Sequence, residues 1–422
     1  MTTLVSRLLW ALGIAFVAAI PVRAETLKIA CPAVGIEYDL CREGAEAWAQ
    51  KTGNEVQLVQ TPNHADERLA LFQQLLASGS AVIDVFQIDV IWPGILGRYF
   101  IDLAPLIPEA DRARHFPAMI EANTVDGELK AMPWFGDAGL LYYRKDLLEK
   151  YGLAPPKTWD ELTKAAQTVV AGEKATNDKL VGIVFQARAY EGLTCNALEW
   201  IASYGGGTIY DADGKVTLDN PKAAAAIDMA AGWIRSGLAP KGVLTYAEEE
   251  ARGVFQSGNA VFMRNWPYAW ALANSADSPV KGKVGVTVLP EGPGGRHAAT
   301  LGGAALAVSK FSTHQKAAAD LVAYLTSPEE EIRRAIKGSL NPTIPAAYDD
   351  PRLLEAQPVM KEFRPVLEAA VSRPARLLGS DYNRVSATFW NAVHDALSGR
   401  GSAAENLAQA ARRLERITRA GG

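Results

Sequence analysis

Residues 55–88 read EVQLVQTPNHADERLALFQQLLASGSAVIDVFQI, and this stretch carries the clearest signal of fold class. Its first six residues alternate in polarity, which is typical of a half-buried strand. Residues 65–78 place apolar side chains on one face of a helix, and residues 82–88 form an apolar run of strand length. The order strand, helix, strand predicts two parallel strands joined by a covering helix.

The same alternation precedes this stretch. We predict a short strand over Glu25–Ala30 and a helix over Asp39–Thr52, with Gly53 as the residue that ends the helix. A βαβαβ start predicts a parallel sheet covered by helices. In such sheets, ligands bind beyond the carboxyl ends of the strands. Here those loops are Ala33–Glu37, Thr61–Asp66 and Asp89–Trp92.

Strands and helices continue to alternate along the chain, which at 422 residues is too long for one hydrophobic core and predicts at least two lobes. Thr158 can cap a helix by pairing with Glu161 in a capping box. Further predicted strands are Leu140–Tyr143, Ala260–Met263, Val284–Leu289 and Ala304–Val308. Further predicted helices are Asp146–Tyr151, Thr194–Tyr204, Pro221–Ser236, Ala247–Gln256, Thr313–Leu325, Ser386–Leu397 and Ala403–Thr418.

The first residues indicate export. Arg7 precedes the apolar run LLWALGIAFVAAI (residues 8–20), and Pro21 is followed by Val-Arg-Ala ending at Ala24. A basic start, a short apolar run and small residues at a cleavage point predict a signal peptide over residues 1–24. The run is shorter than the roughly 20 residues that a membrane span needs. We therefore expect a free periplasmic protein.

Charge and motifs exclude several function classes. The formal net charge of −4 leaves no basic excess to hold nucleic acid. The sequence contains no P-loop, no G-x-S-x-G and no H-E-x-x-H, and no cysteine spacing resembles a zinc site, so no metal or other cofactor is expected. Cys31 and Cys41 could form a disulfide or remain free thiols, and Cys195 is single in either case.

Acidic and aromatic side chains recur near the predicted strand ends. Each alone is weak evidence, because a single Asp after a strand is usually a cap or turn residue and a single Trp usually packs. As a group they suit a sugar, since carboxylates and guanidinium groups bond hydroxyls and aromatic rings cover the apolar sugar face. The group is Glu37, Arg68, Asp89, Asp137, Tyr190, and the stretch MRNWPYAW with Trp266 and Tyr268.

Taken as an ordered set, seven motifs make the chain similar to the family 1 extracellular solute-binding proteins of ABC importers, the maltose-binding-protein class. Within that class it most resembles the trehalose/maltose-binding branch, over almost all of the mature chain. The motifs are VIDVFQIDVIWPG (82–94), PWFGDAGLLYYRKDLL (133–148), PKTWDEL (156–162), YEGLTCNALEW (190–200), FQSGNAVFMRNWPYAW (255–270), VGVTVLP (284–290) and TLGGAALAVSK (300–310).

The resemblance implies an α/β fold of two lobes, the periplasmic binding protein fold of class II type. Each lobe is expected to hold a mixed, mainly parallel sheet flanked by helices, with a hinge around a central cleft. The implied N-terminal lobe comprises residues 25–136 and 305–348. The implied C-terminal lobe comprises residues 137–304 and 349–422.

The resemblance also implies which residues contact the ligand. Carried over position by position, they are Glu37, Arg68, Asp89, Asp137, Trp266, Tyr268, Gly303 and Arg373, with Phe135 and Tyr190 as further candidates. Two departures put trehalose itself in doubt. The chain has Ala304 where that branch has a tryptophan, so a stacking aromatic is absent, and the segment 375–381 also differs.

The function implied by the resemblance is to bind an α-linked disaccharide, trehalose-like or maltose-like, by hinge closure in the periplasm. The protein is then expected to deliver the sugar to two membrane permease subunits that are driven by a cytoplasmic ATPase. A monomer without catalytic activity is expected, with its site carboxylates ionised. The alternatives are a binding protein for another glycoside or for a polyamine, and a glycosidase that pairs Asp89 with Asp137.

Overall fold

The computed structural model describes residues 24–211 and 213–420, with side chains through residue 417. The predicted signal peptide, residues 1–24, lies outside the described residues except for Ala24. Within the described ranges, no helix is both long and apolar enough to cross a membrane.

Strands and helices alternate through most of the chain, and they are labelled here in chain order. The strands are β1 (Thr26–Pro32), β2 (Glu55–Thr61), β3 (Val85–Asp89), β4 (Thr124–Val125), β5 (Glu128–Leu129), β6 (Met132–Ala138), β7 (Leu140–Arg144), β8 (Val181–Val184), β9 (Ala260–Asn265), β10 (Val284–Val288) and β11 (Leu301–Val308). The helices are α1 (Glu37–Thr52), α2 (Ala65–Ala77), α3 (Pro93–Leu96), α4 (Glu109–Arg112), α5 (Pro117–Ala122), α6 (Lys145–Lys150), α7 (Trp159–Glu173), α8 (Glu191–Ser203), α9 (Pro221–Arg235), α10 (Glu248–Gln256), α11 (Tyr268–Ala273), α12 (Gln315–Leu325), α13 (Pro328–Gly338), α14 (Pro351–Ala356), α15 (Met360–Glu368), α16 (Ala375–Leu378), α17 (Tyr382–Leu397) and α18 (Ala403–Ala420).

Several local predictions are confirmed by the structure. Gly53 ends α1 in the left-handed conformation at φ 76°, and Thr158 and Glu161 form the predicted capping box of α7. Helix α8 begins at Glu191, three residues before the predicted start. Cys31 and Cys41 form a disulfide between β1 and α1, while Cys195 is a buried free thiol.

The first sheet has the strand order β2-β1-β3-β11-β6. Strand β1 runs parallel to β2 and β3, as the βαβαβ pattern predicts, whereas β11 is antiparallel to both β3 and β6. Helices α1 and α12 pack together on this sheet over a core that includes Trp48, Trp134 and Leu306. The carboxyl ends of β1, β2 and β3 therefore meet at one edge of the sheet.

The second sheet has the order β10-β7-β9-β8, in which β8 and β9 are parallel neighbours. By strand direction both sheets are mixed and mainly parallel, as predicted, because among the described strands only β11 in the first sheet and β7 in the second run opposite to the rest. Strand β7 follows β6 after a single residue, Gly139. Strand β7 thus enters the second sheet directly and runs antiparallel to both of its neighbours.

Gly139 lets the chain pass directly from the first sheet to the second. A Cβ atom at this position would lie 2.1 Å from Glu199 Oε1, because the buried ion pair of Arg264 and Glu199 packs against the backbone there. The chain returns to the first sheet between β10 and β11. The exact lobe boundaries, 25–136 with 305–348 and 137–304 with 349–422, remain a prediction.

Each sheet with the helices packed on it forms one layer, and the two layers contact each other beside the space that separates them. Tyr268 and Trp266 follow β9 of the second sheet, yet both pack with the core of the first sheet. A Cβ atom on Gly35, in the loop after β1, would lie only 2.5 Å from the Tyr268 ring. The structure is therefore a closed arrangement of the two layers.

Candidate ligand-binding site

A cavity of about 100 Å³ lies between the two layers, at the carboxyl ends of the first-sheet strands. The structure brings all ten predicted site residues to its lining: Glu37, Arg68, Asp89, Phe135, Asp137, Tyr190, Trp266, Tyr268, Gly303 and Arg373. The lining also includes Val34, Asn63, Ala65, Gln87, Glu191, Gly192, Cys195, Glu248, Gly302 and Ala304. That any of them binds a ligand remains a prediction.

Three adjacent strand ends form one wall of the cavity. The register places Ala304 of β11 opposite Asp89 of β3 on one side and Phe135 of β6 on the other. Gly303 lies beside them at φ 112°, and a Cβ atom on it would come within 2.3 Å of Phe135 O. Only glycine fits that backbone. Ala304 therefore contributes a single methyl group between a carboxylate and an aromatic ring.

Arg373 joins this wall to the second layer. Its guanidinium donates to Asp89 Oδ1 at 2.7 Å and to Glu191 Oε1 at 2.9 Å. Glu191, the first residue of α8, also accepts hydrogen bonds from Tyr382 and Ser386 of α17. A charged guanidinium between two carboxylates compensates their burial. Arg373 and Asp89 therefore line the cavity as an ion pair whose charges compensate each other.

Five polar atoms of the lining are buried without a hydrogen-bond partner among the described residues. They are Asp137 Oδ1, Gln87 Oε1, Arg68 Nε, Arg373 Nε and the hydroxyl oxygen of Tyr190. The rest of Arg68 is engaged, since its Nη1 donates to Pro62 O at 3.0 Å and to Asn63 O at 3.1 Å. Burying polar atoms without partners is unfavourable, so such atoms occur mainly where something else satisfies them. This wall can therefore offer both donors and acceptors to a ligand.

Burial raises the pKa of three of the lining carboxyl groups, those of Glu37, Asp137 and Glu191. Burial raises the pKa of Glu37 from 4.5 to about 7, although the hydrogen bond that Gln87 Nε2 donates to it, at 2.9 Å, acts in the opposite direction. Burial and then the nearby Glu37 raise the pKa of Asp137 well above its usual range. Burial thus favours the neutral form of Asp137, contrary to the expectation that every site carboxylate is ionised.

The aromatic residues have separate positions. Trp266 is half-buried, with the Arg264 guanidinium 3.9 Å from its ring centroid and its indole nitrogen donating to Glu248 Oε1 at 3.4 Å. The Tyr268 hydroxyl donates to Glu249 Oε1 at 2.6 Å. Trp270 lies in α11 and packs against the second-sheet core. The cluster in MRNWPYAW thus divides between the cavity and the core.

A polar contact joins the two layers beside the cavity. Arg188, in the loop before α8, donates to Glu67 Oε1 of α2 at 2.8 Å and lies 2.8 Å from His64 Nδ1. Small-molecule pockets usually measure about 300–1,000 Å³, so the closed cavity is small for its class. Movement of the two layers apart would break this contact.

Sequence reasoning missed four polar residues of the lining: Asn63, Gln87, Glu191 and Glu248. Gln87 interrupts the apolar strand VIDVFQI, and a polar residue within a buried run was a usable signal. Glu191 follows the predicted Tyr190, at the start of α8. Glu248 is one of three successive glutamates that open α10, a pattern that helix-dipole stabilisation explains equally well. Only the tertiary fold distinguishes Glu248 from Glu249 and Glu250.

The site shows no arrangement for a metal. Within the part of the chain that the structure describes, no group of three or more His, Cys, Asp or Glu side chains could hold a metal ion. Burial raises the pKa of the Cys195 thiol to about 12, so it stays protonated and unreactive at neutral pH.

Comparison with known proteins agrees with this geometry. The chain is 52% identical over 407 residues to a probable ABC transporter-binding protein of Deinococcus radiodurans, covering 96% of this chain and 97% of that one. The maltose-bound MalE3 of T. maritima shares 41% identity at a TM-score of 0.88, covering 93% of this chain and all of that one. The acarbose-binding GacH receptor of Streptomyces glaucescens shares the fold, with 23% identity, a TM-score of 0.82 and coverage of 93% and 98%.

Residues 39–332 match the model of one family, which covers more than half of the chain. The structural neighbours have the two-lobe fold of periplasmic binding proteins, with mixed sheets in an α/β arrangement. The family and the fold thus agree with what the motifs of the sequence imply. The chain belongs to the bacterial extracellular solute-binding proteins.

Proposed function

We propose that this protein binds an α-linked disaccharide, maltose-like or trehalose-like, in the periplasm and delivers it to an ABC importer. The delivery partners are two membrane permease subunits with a cytoplasmic ATPase. Support comes from the family, from the ABC transporter-binding relative, and from the resemblance at 41% identity to a protein solved with maltose. The protein acts as a monomer and needs no cofactor.

One observation carries the proposal: the buried polar atoms of the cavity that have no partner among the described residues. Asp137 Oδ1 and Gln87 Oε1 accept, while Arg68 Nε donates. A hydroxyl group is both donor and acceptor, so a ligand with many hydroxyls satisfies this mixture. Trp266 supplies an apolar ring beside them, on which the C–H face of a pyranose can lie.

Binding proceeds by closure of the two layers. Polar groups from both layers line the cavity, with Asp137 in the first sheet and Glu248 in α10 of the second layer. A ligand that contacts both favours the closed arrangement because the open one offers half of these contacts. The Arg188 contact with Glu67 forms only when the layers meet.

A polyamine ligand is less consistent with the charges. Burial shifts Asp137 and Glu37 towards their neutral forms, and the other lining acids, Asp89, Glu191 and Glu248, face two arginines, Arg68 and Arg373. The wall therefore carries little net charge, which favours an uncharged ligand over a polycation.

A glycosidase gains one supporting observation, since the raised pKa of Asp137 would suit a general acid. The proposed partner Asp89 does not suit a nucleophile, because Arg373 and the Ile91 backbone nitrogen occupy its oxygens. The family consists of solute-binding proteins, and we propose that this member has no catalytic activity. Sustained release of glucose from maltose by the purified protein would contradict that.

The test is a ligand panel read by thermal unfolding and calorimetry. A ligand present at 100 times its dissociation constant stabilises the native state by about 2.7 kcal/mol. We expect maltose or trehalose to raise the melting temperature, and glycerol phosphate and putrescine to leave it unchanged. Absence of a shift with every sugar in the panel would contradict the proposed function.

A pair of tryptophan variants locates the site. Trp266→Ala should weaken disaccharide binding at least tenfold, because it removes the ring beside the unpaired polar groups. Trp270→Ala, from the same cluster but outside the cavity lining, is the matched control and should bind like the parent. Equal loss in both variants would place the sugar elsewhere.

A further inference from the structure

A second and larger cavity adjoins the first. It measures about 910 Å³, and Phe135, Ala304 and Arg373 line both cavities. At Ala304 this shared wall carries no side chain larger than a methyl group. Arg373, another residue of the wall, is held in place by Asp89.

The lining of the second cavity differs in chemistry from that of the first. Its inner surface is largely apolar, from Ile91, Met119, Val125, Leu301 and Leu367. Charged side chains occur at its outer rim, where Arg376 and Glu121 form an ion pair with 77% and 66% of their side chains exposed. The cavity thus borders the cleft on one side and reaches solvent on the other.

Several polar side chains of this second cavity already have partners: Thr124 donates to Ile120 O, Glu368 accepts from Arg364, and Arg373 pairs with Asp89. Asn123 offers one buried oxygen, Oδ1, without a hydrogen-bond partner among the described residues, so a single hydroxyl could be accepted. A full sugar ring would lose water from several hydroxyls and regain few hydrogen bonds, which is unfavourable. An apolar group, by contrast, gains from burial against this surface.

We propose that the second cavity receives an apolar aryl or alkyl group attached to the sugar, with the ligand extending past Ala304. This inference rests on the proposed sugar-binding function. It gives Ala304 a role in specificity: its small side chain keeps the passage open. The ligand class is then a glycoside with an apolar aglycone, whose sugar lies in the cleft.

Calorimetric titration with maltose and with 4-nitrophenyl α-maltoside tests the proposal. We expect the parent to bind the aryl glycoside at least tenfold more tightly than maltose. Ala304→Trp should abolish this preference by closing the passage. Ala122→Trp should also abolish it by filling the second cavity from an exposed position outside the cleft lining, while leaving maltose affinity unchanged.

The outcomes separate this inference from the proposed function. If the parent binds maltose but shows no preference for the aryl glycoside, the inference fails and the sugar-binding function stands. The same holds if Ala122→Trp keeps the preference, or if maltotriose alone binds more tightly, which would assign the cavity to a third sugar. If neither sugar binds, the proposed function fails and the inference fails with it. Because Ala122 is exposed, its variant tests the proposal even if Ala304→Trp does not fold.

Discussion

Two buried glutamates, Glu37 and Glu331, both have a raised pKa but differ in their hydrogen-bond partners. Burial raises the pKa of each from 4.5 to about 7. Glu331 accepts hydrogen bonds from the backbone nitrogens of Thr343 and Ile344, at 2.8 and 3.1 Å, and from the Thr343 hydroxyl. Glu37 accepts from Gln87, beside atoms that lack partners. A raised pKa therefore indicates burial, whereas unfilled hydrogen-bonding capacity marks a candidate binding site.

The largest expected effect is on the folded state, at Glu331. Glu331→Ala leaves two buried backbone N–H groups without an acceptor, each at a cost of about 1–3 kcal/mol, so the free energy of unfolding should fall by roughly 4 kcal/mol. Urea unfolding followed by circular dichroism measures the change. Glu329→Ala, at an exposed position of the same helix, is the control. Equal urea midpoints for Glu331→Ala and Glu329→Ala would contradict the conclusion that the hydrogen bonds of Glu331 stabilise the fold.

The sequence predicts local properties of the chain better than properties that depend on the tertiary fold. Residues 55–88 indicate the first βαβ unit because periodicity and chain order are local properties. The ten site residues could be proposed because ordered motifs resemble a family, and strand ends then explain why they meet. The raised pKa of Asp137 was not predictable, since it depends on burial and on the nearby Glu37 in the tertiary fold. The second cavity was not predictable from the sequence either. It borders the first at Ala304, where the side chain is small.

The next effect concerns how stability changes with pH. Because the pKa of Glu37 is higher in the folded state, the fold binds its proton more tightly than the unfolded chain does. This stabilisation is complete below pH 4.5 and is lost as the pH rises to about 7. The difference between the two pKa values corresponds to about 3 kcal/mol. Glu37→Gln should remove that share of the pH dependence and be more stable than the parent above pH 7.

Urea unfolding of both proteins from pH 4.5 to 7.5 provides this measurement. Glu331 should cause a similar loss of stability over the same pH range in both proteins. The free energy of unfolding of Glu37→Gln should therefore still fall with pH, but less steeply than that of the parent. Glu46→Gln, at an exposed position of α1, is the control and should follow the parent. Parallel curves for Glu37→Gln and the parent would show that Glu37 is not desolvated in solution.

A smaller effect is expected at the unfilled acceptor itself. Asp137→Ala should weaken disaccharide binding 10- to 100-fold, which corresponds to about 1.4–2.7 kcal/mol, because a hydrogen bond to the ligand is lost. The circular dichroism spectrum should be unchanged, and Asp160→Ala, at an exposed position in α7, should bind like the parent. Parental affinity in Asp137→Ala would show that an unpartnered buried oxygen does not identify this site.

The smallest effect is expected at the polar contact beside the cavity. Arg188 and Glu67 pair only when the layers are closed, and their side chains are 36% and 48% exposed. An exposed ion pair contributes about 0.2–1 kcal/mol, so Arg188→Ala should weaken sugar binding by no more than about fivefold. Salt screens such pairs, and the parent's affinity should therefore fall with added salt while the variant's stays constant. Arg352→Ala, which breaks an exposed pair away from the cavity, should keep the parent's salt dependence. If Arg188→Ala also keeps the parent's salt dependence, the contact between Arg188 and Glu67 does not contribute to closure. The groups that face the ligand would then account for closure alone.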